Sequence, residues 1–339
     1  MKKFAELIAE SSDDSRNLLI GNGYSAAVNE YYNYKNLKEN TDFSEIPWVK
    51  EIFNSYHTNN FELVLEMLGH AKTVNTCSGN RAEAQKDAEA RAKLVDCFVD
   101  TLRVGHPDNL YEDIGRKCIT KQQYTTNGEF LKKFSNLFSL NYDLLLYWSF
   151  LENKLHQSYR DNFSERPEGQ SNLWFNEGYS GNKEIWYLHG ALHLRTDFLG
   201  FAYKIIYNKE VNIREKLKND IERSVYPILV FEGTDEEKMY KINSNRYLTI
   251  AYNMFSSLSG SLFTYGFSFG SNDMHIRNAI LKSNITHLNI GVYGDVKDHQ
   301  EIVQAGSEIM RQSEELFNAH KRSDPVEVTY YDTSSFAIW

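Results

Sequence analysis

Short apolar runs alternate along this chain with longer amphipathic stretches, and few architectures can bury that pattern. Residues 17–20, 137–140, 185–188, 228–231, 262–265, 288–292 and 326–331 each read as a buried strand. Helical patterns separate most of them, as where Ile302, Ala305, Ile309 and Leu316 recur on one face. Strands spaced in this way pack as a mostly parallel sheet covered by helices on both sides. The predicted class is therefore α/β, with ligands expected at the carboxyl ends of the strands.

The remaining stretches decorate that sheet. Phe61, Val64, Leu65 and Leu68 share one helical face, and Leu94, Val95, Phe98, Val99 and Leu102 share another, so 47–125 is expected to be a helical insertion. Its 81–91 run, rich in Ala, Glu, Lys and Gln, suits a solvated helix face. A second insertion or small subdomain is expected over 151–245, with 159–181 as a long surface loop, all within one domain spanning 1–339. The apolar 336–339 terminus is expected to dock onto the domain or a partner.

Composition removes several classes of function. With 339 residues, 41% hydrophobic and 24% charged, the chain can bury a large core and is not a disordered or linker-like polymer. Three cysteines, Cys77, Cys97 and Cys118, are too few and too widely spaced for a disulfide framework or a paired-cysteine zinc site. A net charge of −9 opposes attraction to a phosphate backbone, so no nucleic acid is expected as a partner. The longest apolar stretch, 144–151, is far short of the ~20 residues a membrane helix needs. No signal-peptide core follows the first lysines, because Glu6 and Glu10 interrupt it, so a cytoplasmic location is expected.

Three strand ends carry chemistry. Gly21-Asn22-Gly23-Tyr24-Ser25-Ala26 fits a strand-to-helix dinucleotide turn, in which glycines admit a pyrophosphate, although a plain tight turn has the same appearance. No second apolar strand with an acidic end follows about twenty residues later, which disfavours an ordinary nicotinamide dehydrogenase. Asn141-Tyr142-Asp143 places an amide and a carboxylate at the next strand end, where both types also serve as helix caps. His189-Gly190 closes a third strand, with the glycine permitting a sharp exit. His193 lies four residues on, but at a strand end rather than on a helix, so no metal pair is expected.

With these motifs in order, the chain resembles the sirtuin-like (silent information regulator-like) superfamily, most of all its bacterial zinc-free branch of unknown-function proteins resembling anti-phage NAD hydrolases. The resemblance also covers Asn60-Phe61-Glu62, Glu232-Gly233-Thr234 with Lys238, and Tyr265-Gly266-Phe267-Ser268 followed by Asp273 and His275. It implies a Rossmann-like domain that binds NAD as substrate and cleaves its nicotinamide–ribose bond. Carried over residue by residue, it implies Asn141 and His189 as the catalytic pair. Gly21, Asn22, Gly23 and Ser25 would lie at the phosphates and nearby ribose, Asp143 at the nicotinamide carboxamide, and Gly266 and Ser268 at the adenosine side. Asp273 and His275 are read as structural, a helix start and a residue packed beneath it.

Three cysteines cannot supply the four-cysteine zinc module of deacetylating sirtuins, so NAD hydrolysis without a metal is expected rather than deacetylation. The resemblance further implies an anti-phage effector acting by NAD depletion; because an unregulated NAD hydrolase would kill its own host, control by a separate sensor protein or by self-assembly is expected. A nucleotide-sensing module without turnover, and an ADP-ribosyltransferase, are the alternatives that the same motifs allow.

Overall fold

A computed structural model describes residues 1–12, 15–105, 119–165, 172–178, 181–206, 213–223, 225–231 and 233–339. Cys118, Glu232 and parts of 47–125, 151–245 and 159–181 lie outside the described residues. In chain order the strands are β1 (Arg16–Ile20), β2 (Asn136–Ser139), β3 (Phe163–Ser164), β4 (Leu173–Phe175), β5 (Glu184–Tyr187), β6 (Gly190–Thr196), β7 (Ala202–Lys204), β8 (Pro227–Leu229), β9 (Ser259–Tyr265), β10 (Asn284–Val292) and β11 (Glu327–Asp332).

Six of them form a parallel sheet in the order β11-β10-β9-β1-β2-β5. Every residue of β1 is buried, as expected for a central parallel strand covered on both faces. Helices Arg246–Ser256, Met274–Lys282 and Gln300–Asn318 connect and cover the strands, giving the α/β architecture that the apolar alternation predicts, in the Rossmann-like form that the resemblance implies.

The other five strands form an antiparallel sheet in the order β3-β4-β7-β6-β8, which the sequence pattern does not announce. It corrects two expectations. The 228–231 run belongs to this second sheet through β8, because an apolar run reports burial and not which strand lies beside it. The 159–181 stretch is in part sheet rather than surface loop: it carries β3 and β4, and Tyr159 is buried with its hydroxyl donating to the carbonyls of Leu131 and Phe134. Strands of two and three residues are too short to leave a readable period.

Helices Pro47–Ser55, Phe61–Cys77 and Arg81–Gly105 build the second hydrophobic cluster. The faces expected from spacing are inside, with Phe61, Val64, Leu65, Leu68, Leu94, Phe98, Val99 and Leu102 buried and Val95 half-buried against them. Helix Leu145–Glu152 lies between this cluster and the core of the parallel sheet, giving Leu146 and Phe150 to one and Leu145 and Trp148 to the other. That position explains why the most apolar stretch of the chain is a short helix buried on every face from Leu145 to Phe150.

The terminal 336–339 segment docks onto the domain. Phe336 stacks on Phe4 with ring centroids 4.3 Å apart, and the Trp339 indole donates to the Tyr24 carbonyl at 3.0 Å. No helix among the described residues is long and apolar enough to cross a membrane.

Candidate active site

The carboxyl ends of β1, β2, β5 and β9 meet at one cavity of about 90 Å³, lined by Gly21, Asn22, Glu62, Asn141, Tyr142, Asp143, His189, Gly266, Ser268 and Asp273 among others. Pairing of Ser139 with Tyr187 puts Asn141 and His189 each two residues beyond matched positions on adjacent strands. A larger groove of about 1160 Å³ shares Gly266, Phe267 and Ser268 with it and also takes in Gly23.

The glycine turn is built for contact between backbones. Gly21 N donates to the Tyr265 carbonyl at 2.9 Å and Gly23 N to the Gly266 carbonyl at 3.0 Å. Gly266 has φ +67, and a Cβ there would stand 2.5 Å from the Gly23 Cα. The glycines are therefore required by the β1 and β9 exits crossing each other, and the amides of Gly21 and Gly23 are already engaged. The Asn22 side chain, by contrast, makes no hydrogen bond among the described residues while lining the cavity.

Ser25 joins the first strand end to the second. Its fully buried hydroxyl accepts from Asn141 Nδ2 at 2.8 Å and donates to Asp143 Oδ2 at 2.5 Å. Asp143 Oδ1 meanwhile accepts from the Leu145 amide at 2.9 Å, an Asx-type turn that leads into the following helix, while Oδ2 faces Ser25. Burial pushes the Asp143 carboxyl up to about 6 against the pull of these bonds. Asn141 Oδ1 has no protein partner among the described residues, which leaves an acceptor at the cavity.

His189 occupies the joint between the two sheets. Gly190 follows it at φ +73, a left-handed conformation that turns the chain from β5 into β6, and a Cβ there would meet the Ile228 carbonyl at 1.9 Å. The His189 Nε2 lies 2.8 Å from His275 Nε2, and His275 Nδ1 lies 2.7 Å from Asp235 Oδ1. Burial, aided by Lys238 and His275, holds the His189 imidazole well below its ordinary value, so it is neutral at pH 7.

His275 is thus no mere packing residue beneath a helix start, as its spacing suggests: its ring is buried in direct contact with His189. Asp273 does precede helix Met274–Lys282, yet its carboxylate makes no cap. Instead it takes the buried Lys238 ammonium at 2.9 Å, which Glu62 also holds at 2.8 Å. Burial lowers the Lys238 pKa, but the two carboxylates outweigh it and keep the amine charged. Asp235 is the partner that sequence reasoning missed. Its only trace there is an acidic residue in a helix first turn beside Thr234 and Glu237, which form a capping box.

Among the described residues, His189, Asp273 and His275 bring metal-type donor atoms within 4.8 Å of one another. These donors already satisfy each other or Lys238, and the ammonium opposes a further cation there. His193, four residues beyond His189, is buried between Tyr147 and Tyr187, away from the cavity.

A family model described as "Domain of unknown function (DUF4917)" matches residues 18–339. No curated protein matches the chain. A solved structure described as "Structural Basis for the Mechanism and Regulation of Sir2 Enzymes" is similar over 93% of this chain and 97% of that one, at 10% identity and a TM-score of 0.34. A likeness that shallow carries no inference.

Proposed function

The chain belongs to the DUF4917 family, and we propose that it is an NAD glycohydrolase, which splits NAD and water into nicotinamide and ADP-ribose. One observation carries the reading: an amide and a carboxylate from the end of β2 and a neutral imidazole from the end of the adjacent β5 line one small cavity that adjoins a groove of dinucleotide scale. The motif resemblance to zinc-free sirtuin-like proteins supplies the substrate class.

Nicotinamide leaves as a neutral pyridine from a pyridinium, so its departure calls for no strong acid. The site has to hold the ring, stabilise positive charge developing on the ribose and deliver water. Asp143, largely ionised at pH 7 with its carboxyl at about 6, would accept the carboxamide N–H. Asn141 is oriented by Ser25 through its Nδ2, leaving Oδ1 to accept from the ribose or the attacking water. His189 Nδ1 would take the proton that the water loses. The dinucleotide would pass the Gly21–Gly23 turn, with Asn22 as the free side-chain donor, into the groove beyond Gly266 and Ser268. In the cell this activity would serve anti-phage defence by NAD depletion, held in check by a sensor protein or by self-assembly.

NAD labelled in its adenosine half tests the reading. Free labelled ADP-ribose with equimolar nicotinamide is the expected result. Label on protein or nucleic acid would indicate transfer, and intact bound NAD would indicate sensing; either overturns hydrolysis.

A further inference from the structure

We infer that Asp235 and His275 are positioning residues that set the tautomer of His189 and draw off the proton it accepts. This rests on the reading of His189 as the base and extends it to two residues outside the cavity lining.

The bonding pattern fixes the direction. Asp235 Oδ1 receives both the backbone amide of His275 at 2.6 Å and its Nδ1 at 2.7 Å, and a carboxylate can only accept. His275 therefore carries its proton on Nδ1 and presents a bare Nε2. The two imidazole centroids are 5.1 Å apart with the Nε2 atoms 2.8 Å apart, so the rings meet edge to edge along a short bond. His189 must supply the hydrogen of that bond from Nε2, which leaves its Nδ1 as a lone pair without a protein partner among the described residues. A histidine used as a base needs that arrangement, with the second nitrogen fixed by another group.

The same chain accounts for how so buried an imidazole can accept a proton beside a lysine. When water gives a proton to His189 Nδ1, the Nε2 proton of His189 can pass to His275 Nε2. The O–H bond and one N–H bond break, two N–H bonds form, and the positive charge moves from His189 to His275 against the Asp235 carboxylate. Other groups facing the pair are Lys238, with its partners Glu62 and Asp273, and Tyr252, whose hydroxyl donates to the His275 carbonyl at 3.0 Å. Of these carboxylates, only Asp235 touches the relay, because Glu62 and Asp273 are committed to the ammonium.

Two measurements on the full chain test this. In 15N spectra of histidine-labelled protein, with His189→Ala supplying the assignment, His189 should be protonated at Nε2 and bare at Nδ1. A proton on Nδ1 overturns the inference whatever the protein does to NAD. In the turnover assay, Asp235→Ala should lower kcat roughly 10- to 100-fold with KM nearly unchanged, and Asp235→Asn, which keeps an acceptor for His275, should recover part of the loss. Wild-type kcat in Asp235→Ala overturns the relay while leaving NAD hydrolysis intact. A wild-type protein inert toward NAD would refute the proposed function, and the tautomer would still decide this point.

Discussion

Replacing Asp143 by asparagine should make the protein more stable at neutral pH and less active, because the site keeps a carboxylate where burial disfavours its charge. The Asp143 carboxyl sits at about 6 against an ordinary 3.8, burial being the largest cause. At about 1.4 kcal/mol per pKa unit, that difference is a penalty on the order of 3 kcal/mol once the group is ionised in both folded and unfolded chains. The folded state holds the proton more tightly, so the penalty is absent below pH ~4, develops between pH ~4 and 6, and is complete above pH ~6. Linkage over that interval gives a wild-type stability gain of about 1 kcal/mol from this group between pH 7 and pH 5. The Asp143→Asn side chain would preserve the acceptor for the Leu145 amide and remove the titration, while its Nδ2 would turn the Ser25 bond round, a cost that does not vary with pH. Urea unfolding of both proteins at pH 5 and pH 7 isolates the term through the pH dependence, since every other titrating group is common to the pair. Stability of Asp143→Asn that is lower than wild type at pH 7, with the same pH dependence, would refute the reasoning. If the ionised carboxylate holds the carboxamide, wild-type turnover should also fall as pH drops through about 6.

Two further substitutions probe the frame around the site. Gly190→Ala should destabilise by about 3 kcal/mol or more, seen as a lowered thermal midpoint or loss of soluble protein, because a left-handed φ of +73 and a Cβ 1.9 Å from the Ile228 carbonyl admit no side chain. Lys238→Met should cost about 3–5 kcal/mol in chemical unfolding by stranding Glu62 and Asp273, and Glu62→Gln added to it should restore part of the loss.

Much of this arrangement is legible in the chain because each feature has a local cause. Apolar runs bounded by Gly21, Asn141 and His189 mark strand ends, and the right-handed logic of parallel sheets sends those ends to one edge. Fully buried β1 reads correctly for the same reason. Partners set by tertiary geometry are not legible in this way. Asp235 and His275 are forty residues apart, and only the approach of two helix starts brings them together. Seen alone, one looks like a dipole-favoured acid in a first turn and the other like a packed ring. The glycine turn shows the converse: its residues read as room for a phosphate, whereas Gly266 crossing at van der Waals distance already demands them. The second sheet leaves little trace because β3, β4 and β7 span two or three residues each, below the length at which alternation carries a signal.

Nicotinamide release from NAD by purified wild-type protein, with Asn141→Ala and His189→Ala alongside, is the most direct trial of the account. It predicts steady release by the wild type and none by either variant, with both variants retaining the wild-type circular dichroism spectrum. Release at the wild-type rate by either folded variant would contradict it.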